Sequence, residues 1–180
     1  MIRFPFFLGL NELQDQVVKN TMAIKNNSET IESIKPILVA ECLNYEVLND
    51  ARRHYTKVKN GKWLCDNTNT ANWGSAADKN KNWKGRNFYR VMAPAGTKIK
   101  EGCVAGDDAC GTQRQGYISV GTHPTLPNQR TKMTVCFKGG SVCPPSSCYR
   151  EVEIEAINCG SYYVYDLPNI DDCAYAYCTE

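Results

Sequence analysis

The sequence lacks any long apolar run. No stretch approaches the roughly 20 apolar residues that a membrane-spanning helix needs, so membrane insertion is not expected. Residues 1–9 carry one positive charge and a short apolar run, but no small-residue cleavage site follows them. We interpret residues 1–9 as a truncated leader.

The sequence also has little excess charge and few histidines. Its 21 Lys and Arg residues nearly balance 19 Asp and Glu residues, which argues against nucleic acid as a partner. The motifs G-x-S-x-G and H-E-x-x-H are absent, and no nucleophile is placed by pattern beside His123, the best candidate for a catalytic base. We therefore expect a protein that is not an enzyme and has no cofactor, with His123 bonded locally in a turn.

Cysteine, in contrast, is abundant, and every cysteine lies at or after position 42. An even, dense set of cysteines is typical of disulfide-bonded proteins from oxidising compartments, so a secreted, extracellular protein is expected. Zinc is disfavoured because at least four residues separate any two cysteines and only two histidines are present. The ten cysteines are Cys42, Cys65, Cys103, Cys110, Cys136, Cys143, Cys148, Cys159, Cys173 and Cys178.

Residues 10–38 have a heptad pattern. Apolar residues recur every seven positions at Leu10, Val17, Ile24, Ile31 and Leu38, and Asn20 and Asn27 occupy two positions of the interleaved seam. This pattern predicts a helix that forms a coiled coil, with Pro36 ending it, and thus a homo-oligomer. The alternative is a single amphipathic helix. Asn26 begins an N-x-S sequon, and a glycan there would weaken the coiled-coil interpretation.

Residues 42–180 have sequence patterns typical of short strands and turns. Strands are predicted near residues 87–92, 131–137, 149–157 and 161–167, and a long loop with Trp73 and Trp83 as anchors is predicted over 66–86. Asn60-Gly61 predicts a tight hairpin turn. The expected fold is mainly β, α+β at most: a small disulfide-rich extracellular module behind an N-terminal amphipathic or coiled-coil helix.

Several blocks, in order, resemble the cysteine-rich domain of uromodulin, of the pancreatic zymogen-granule membrane glycoprotein and of proteins with von Willebrand D and EGF domains. They are Asn87-Phe88-Tyr89-Arg90-Val91, Glu101-Gly102-Cys103-Val104, Cys110-Gly111-Thr112, Gly121-Thr122-His123-Pro124 and Tyr162-Tyr163-Val164-Tyr165. The resemblance covers about residues 42–179 and implies the pairs Cys42–Cys159, Cys65–Cys173, Cys103–Cys143, Cys110–Cys178 and Cys136–Cys148. Residues 144–147 separate two cysteines that are adjacent in uromodulin, which leaves the pairing of Cys136, Cys143 and Cys148 open.

The resemblance does not extend to the activity for which those proteins are known. In uromodulin and its pancreatic relative, a high-mannose glycan on this domain captures the mannose-binding fimbrial adhesin of enteric bacteria. The corresponding acceptor site reads Asp166-Leu167-Pro168 here and cannot be glycosylated. We therefore do not expect the decoy activity in this chain.

Three sets of surface candidates remain. Lys79, Lys81, Lys84 and Arg86, with Trp83 among them, are candidate contacts for an anionic polymer, as is the segment 52–54; the alternative is a solvated loop. The tyrosines between 162 and 177 form either a sugar-stacking face or part of the core. The pairs Asp107-Asp108 and Asp171-Asp172 are expected to be surface charge rather than a calcium site.

These observations predict an extracellular recognition or adhesion module that binds an unidentified protein or glycan and gains avidity from oligomerisation through the helix. The alternative is a structural component of the extracellular matrix without a discrete small ligand.

Overall fold

The computed structural model describes residues 14, 16–25, 39–68, 76–79, 82–143, 148–170 and 172–180. The chain divides into two units, Met1–Ile37 and Leu38–Glu180. Residues 16–25 of the first unit are helical. Residues 1–9, which the sequence predicts to be a leader, most of the rest of the heptad segment, and Asn26 lie outside the described residues. No helix in the described part of the chain is long and apolar enough to cross a membrane.

The second unit is built of strands, of which the described residues contain nine. They are β1 (Glu46–Leu48), β2 (Trp63–Cys65), β3 (Ala77–Lys79), β4 (Asn87–Val91), β5 (Arg114–Val120), β6 (Arg130–Lys138), β7 (Arg150–Asn158), β8 (Tyr163–Leu167) and β9 (Tyr175–Tyr177). Two short 3-10 helices, Ala40–Cys42 and Ala51–Arg53, flank β1. The predicted mainly-β, disulfide-rich fold behind an N-terminal helix is thus confirmed.

Seven strands form one sheet in the order β1-β4-β8-β7-β6-β5-β9. The five inner strands pair antiparallel, whereas β1 joins β4 and β9 joins β5 in parallel. The edge strands come from the first and last parts of the unit, so the sheet joins its two ends. Strands β2 and β3 form a separate parallel pair.

The strand predicted near residues 149–157 is present as β7, and its side chains alternate between core and solvent. Ile154 and Ala156 are 2% and 0% exposed and belong to the main core, while Glu153 lies on the solvated face. Across the β6–β7 ladder, Glu153 accepts from Lys132 at 2.8 Å. One face of this strand therefore fills the core, and the other carries cross-strand ion pairs, as a half-buried strand does.

Two local predictions are wrong. The segments on either side of Asn60-Gly61 do not form a hairpin: Val58 pairs with Ala109, and β2 pairs with β3. The second error concerns residues 66–86, predicted as a loop, which contain β3. In both cases the partner strand is distant in sequence, and local turn chemistry carries no information about it.

Candidate binding surface

The structure contains five disulfides, and they join the same cysteines that the resemblance pairs. Two of them, Cys103–Cys143 and Cys136–Cys148, involve the three cysteines whose pairing the residues alone left open. The bridges are Cys42–Cys159, Cys65–Cys173, Cys103–Cys143, Cys110–Cys178 and Cys136–Cys148.

The disulfides hold loops against the sheet. Cys65–Cys173 and Cys110–Cys178 fasten the segments around β2 and before β5 to the chain on either side of β9. Cys103–Cys143 ties the loop that follows β6 to the segment before β5. A surface made of such loops is ordered before any partner arrives, which lowers the entropic cost of binding.

A buried ion pair lies beneath these loops. Arg53 and Asp66 both have fully buried side chains, and the Arg53 guanidinium donates to both carboxylate oxygens, with Nη1 to Oδ2 at 2.7 Å. Asp66 Oδ2 also accepts from the backbone N–H of Tyr177 at 2.9 Å, and Arg53 donates to the Tyr177 carbonyl at 3.1 Å. The pair therefore connects the second 3-10 helix, the end of β2 and β9.

The two arginines of the basic segment at 52–54 are therefore paired with carboxylates of the protein itself. Arg53 is buried, and Arg52 pairs with Asp50 at 2.6 Å and Asp78 at 3.2 Å. Neither guanidinium is left as a free cation for a polyanion.

The segment at 79–86 differs from its prediction in one respect. Trp83 is 1% exposed, its ring stacks on Tyr89 at 4.6 Å, and its Nε1 donates to Asn169. Trp83 is therefore a core anchor and cannot stack on a ligand. Arg86 pairs with Asp166 at 2.5 Å and Lys84 is exposed, while Lys81 and the side chain of Lys79 lie outside the described residues.

The tyrosines of the last two strands pack in the core rather than forming a sugar-stacking face. Tyr165 and Tyr177 are fully buried, and Tyr163 and Tyr175 are partly buried against the same cluster. Burial raises the pKa of Tyr165 and Tyr177 well above the ordinary value.

His123 is 8% exposed and bonded on both ring nitrogens. Nδ1 contacts Glu101 Oε1, which also accepts from the His123 backbone N–H at 3.0 Å, and Nε2 lies 2.7 Å from the hydroxyl of Tyr165. Burial lowers the pKa of His123 and outweighs the opposite effect of Glu101. The prediction that His123 is bonded locally in a turn is wrong, because both partners of its ring are distant in sequence. Glu101 and Tyr165 lie 22 and 42 residues away from His123, and no local sequence pattern points to them as its partners.

This arrangement predicts loss of stability in mild acid. The unfolded chain takes up a proton on His123 near pH 6.5, whereas the folded protein resists it, so stability falls as the pH drops through that range. We expect the free energy of unfolding to fall by at most about 1.4 kcal/mol per pH unit between about pH 7 and pH 5.

Urea unfolding of the wild type and of His123→Gln at several pH values checks this prediction. The variant, which has no imidazole at position 123, should lose most of the slope above about pH 5. Burial acts to raise the pKa of Glu101, but its hydrogen bonds with His123 lower it overall, so Glu101 contributes only at more acid pH. Equal slopes in the two proteins would contradict the assignment to His123.

Comparison with known protein families identifies this arrangement of cysteines and strands with one of them. The model of the uromodulin-like domain family matches residues 89–179, about half of the 180-residue chain. The chain belongs to the uromodulin-like domain family. Domains of this family are extracellular structural domains and not enzymes. Family membership together with five disulfides indicates an extracellular module.

The uromodulin-like domain of this chain has an ion pair at the position of uromodulin's glycan acceptor. Asp166, at the end of β8, accepts from Arg86 Nη2, and this interaction raises the pKa of Arg86. The carboxylate is 23% exposed and serves to hold the segment before β4. The position that the resemblance aligns with uromodulin's glycan acceptor therefore carries an aspartate in a surface ion pair in this chain.

Proposed function

We propose that this chain is an extracellular recognition or adhesion module whose uromodulin-like domain binds a protein or glycan and is presented in several copies by its N-terminal helix. The observation that carries the proposal is the disulfide framework, which fixes long loops to a continuous sheet. Recognition gains from such rigidity, because little conformational entropy is lost when the partner binds.

The helix supports the multivalent part of the proposal. Val17 and Ile24, seven residues apart on the predicted seam, are 59% and 70% exposed. Asn20, on the same seam, accepts from Gln16 Nε2 within the helix at 3.2 Å. Burying an apolar seam against a second copy removes these side chains from water, and a polar seam residue sets register and oligomer number.

The oligomeric state tests this step. We expect the full chain to be a dimer or trimer by light scattering at micromolar concentration, and Val17→Asp with Ile24→Asp to be a monomer. The matched control is Val18→Asp with Met22→Asp, since these side chains are also 52% and 62% exposed but lie off the seam. The control should remain oligomeric, and a monomeric wild type would overturn the coiled coil.

A glycan and protein array tests recognition itself. Saturable binding that weakens about tenfold or more in the monomeric variant supports a multivalent recognition module. Absence of binding, combined with insoluble assembly of the purified chain, would instead support a structural component of the matrix.

A further inference from the structure

Residues 55–63 form a basic loop on the surface of the uromodulin-like domain, here called the lysine loop. Its sequence contains Lys57, Lys59 and Lys62 within six residues. Short lysine-rich segments of this kind recur in sites for heparin-like polymers. The Asn60-Gly61 pair predicts only a turn in this segment, but the spacing of its lysines is a further signal, for an anion-binding site.

The backbone of the lysine loop is held in place. Lys59 N–H donates to the Asp108 carbonyl and Cys110 N–H to the Lys57 carbonyl, both at 2.8 Å. Between them Val58 pairs with Ala109, and Cys110 is bonded to Cys178. Because side chains alternate along such an extended segment, Lys57 and Lys59 share one face, while Val58 lines a cleft with Tyr55 and Val104.

The charges of the lysine loop are not neutralised within the described part of the protein. Seven other cations there bind carboxylates: Arg52, Arg53, Arg86, Lys98, Lys100, Arg130 and Lys132. No carboxylate oxygen of a described residue lies within salt-bridge distance of Lys57, Lys59 or Lys62. The lysine loop therefore keeps three lysines without a carboxylate partner among the described residues, whereas Arg52, Arg53 and Arg86 are paired.

An aromatic side chain orders one of these lysines. The Lys59 ammonium lies 4.0 Å from the centroid of the Trp63 ring. The indole is itself fixed, because Nε1 donates to Asp108 Oδ1 at 3.3 Å. A cation held over a ring loses less side-chain entropy on binding than a freely moving lysine.

We propose that the lysine loop binds a sulfated polysaccharide through Lys57, Lys59 and Lys62. This inference rests on the proposed recognition function and supplies its class of ligand. The net charge of the chain is only +2, so attachment to a polyanion requires a local cluster rather than bulk charge. Three ammonium groups within six residues match the closely spaced charges of a sulfated chain, and the disulfides indicate the extracellular setting in which such polymers occur.

Heparin binding of the full chain tests the proposal. We expect Lys57→Gln, Lys59→Gln and Lys62→Gln together to raise the dissociation constant for heparin at least about tenfold, and to reduce the slope of its logarithm against the logarithm of salt by about two. The control removes the same charge at the exposed residues Lys19, Lys25 and Lys132 and should change the dissociation constant less than about twofold. Equal losses in both triple variants would show bulk attraction and overturn the site.

A second variant tests the site by strengthening it. Asp108 has φ of 54°, a conformation that asparagine tolerates, and an asparagine side chain still accepts from Trp63. Asp108→Asn removes a competing negative charge, so heparin should bind about two- to threefold more tightly. Weaker binding in this variant would contradict the proposal. If neither wild type nor variant binds heparin while the array finds another ligand, the lysine loop fails as a site and the recognition function stands.

Discussion

Replacing Arg53 with methionine is expected to destabilise the uromodulin-like domain by about 3–5 kcal/mol, because it leaves the Asp66 carboxylate buried without its counter-charge. Both side chains of the pair are fully buried. Asp66 would retain only the Tyr177 N–H as a described hydrogen-bond donor, and the Tyr177 carbonyl would lose its bond from Arg53. Denaturant unfolding with the disulfides intact measures the loss.

The matched control neutralises both partners. Arg53→Met combined with Asp66→Asn removes the two charges and keeps an acceptor for the Tyr177 N–H, so it should recover most of the stability that either single change loses. Asp66→Asn alone should be as damaging as Arg53→Met, because it leaves a buried guanidinium. Single variants that each cost less than about 1 kcal/mol would mean that water reaches the pair in solution.

Removing Cys42–Cys159 by alanine substitution is expected to cost about 4 kcal/mol. Its ends are 117 residues apart, but with Cys65–Cys173 intact the loop that it closes is about 40 residues long. Opening this loop returns conformational entropy to the unfolded chain. The first 3-10 helix, which contains Cys42, would also lose its covalent link to the end of β7.

The short bridge Cys136–Cys148 provides the comparison. It spans 12 residues at the β6–β7 connection, so its removal should cost about 1 kcal/mol less than removal of Cys42–Cys159. Guanidinium unfolding of both double-alanine variants measures the difference. The reverse order would show that native packing, rather than loop entropy, governs the contribution of each bridge.

Periodicity identified the elements whose signals are local. The alternation along β7 and the apolar stretches near β4, β6 and β8 predicted four strands of the sheet, since one face of each packs in the core. The three-residue strands β1, β3 and β9 gave no comparable signal. Each exists because a partner strand distant in sequence completes its backbone hydrogen bonds.

For the candidate binding surface too, the sequence predicted some features and the tertiary structure decided others. Lysine spacing identified basic segments, but which lysines and arginines remain available depends on carboxylates that folding brings near them. Asp78 approaches Arg52 and Asp166 approaches Arg86, whereas the lysine loop receives no such partner among the described residues. Which charges pair depends on contacts between residues that are distant in sequence, and the amino-acid composition does not show these contacts.

The sequence by itself indicated the extracellular compartment through its number of cysteines. It determined the mainly-β class through strand alternation and the family through the order of short motifs, because these signals depend only on the order of residues. The helix at residues 16–25 also followed from its own seven-residue pattern. Only the tertiary structure decided that Trp83 is a core side chain, that Arg53 and Asp66 form a buried pair, and that no described carboxylate pairs with the three lysines of the lysine loop. Each of these depends on residues far apart in sequence that the sheet and its disulfides bring into contact.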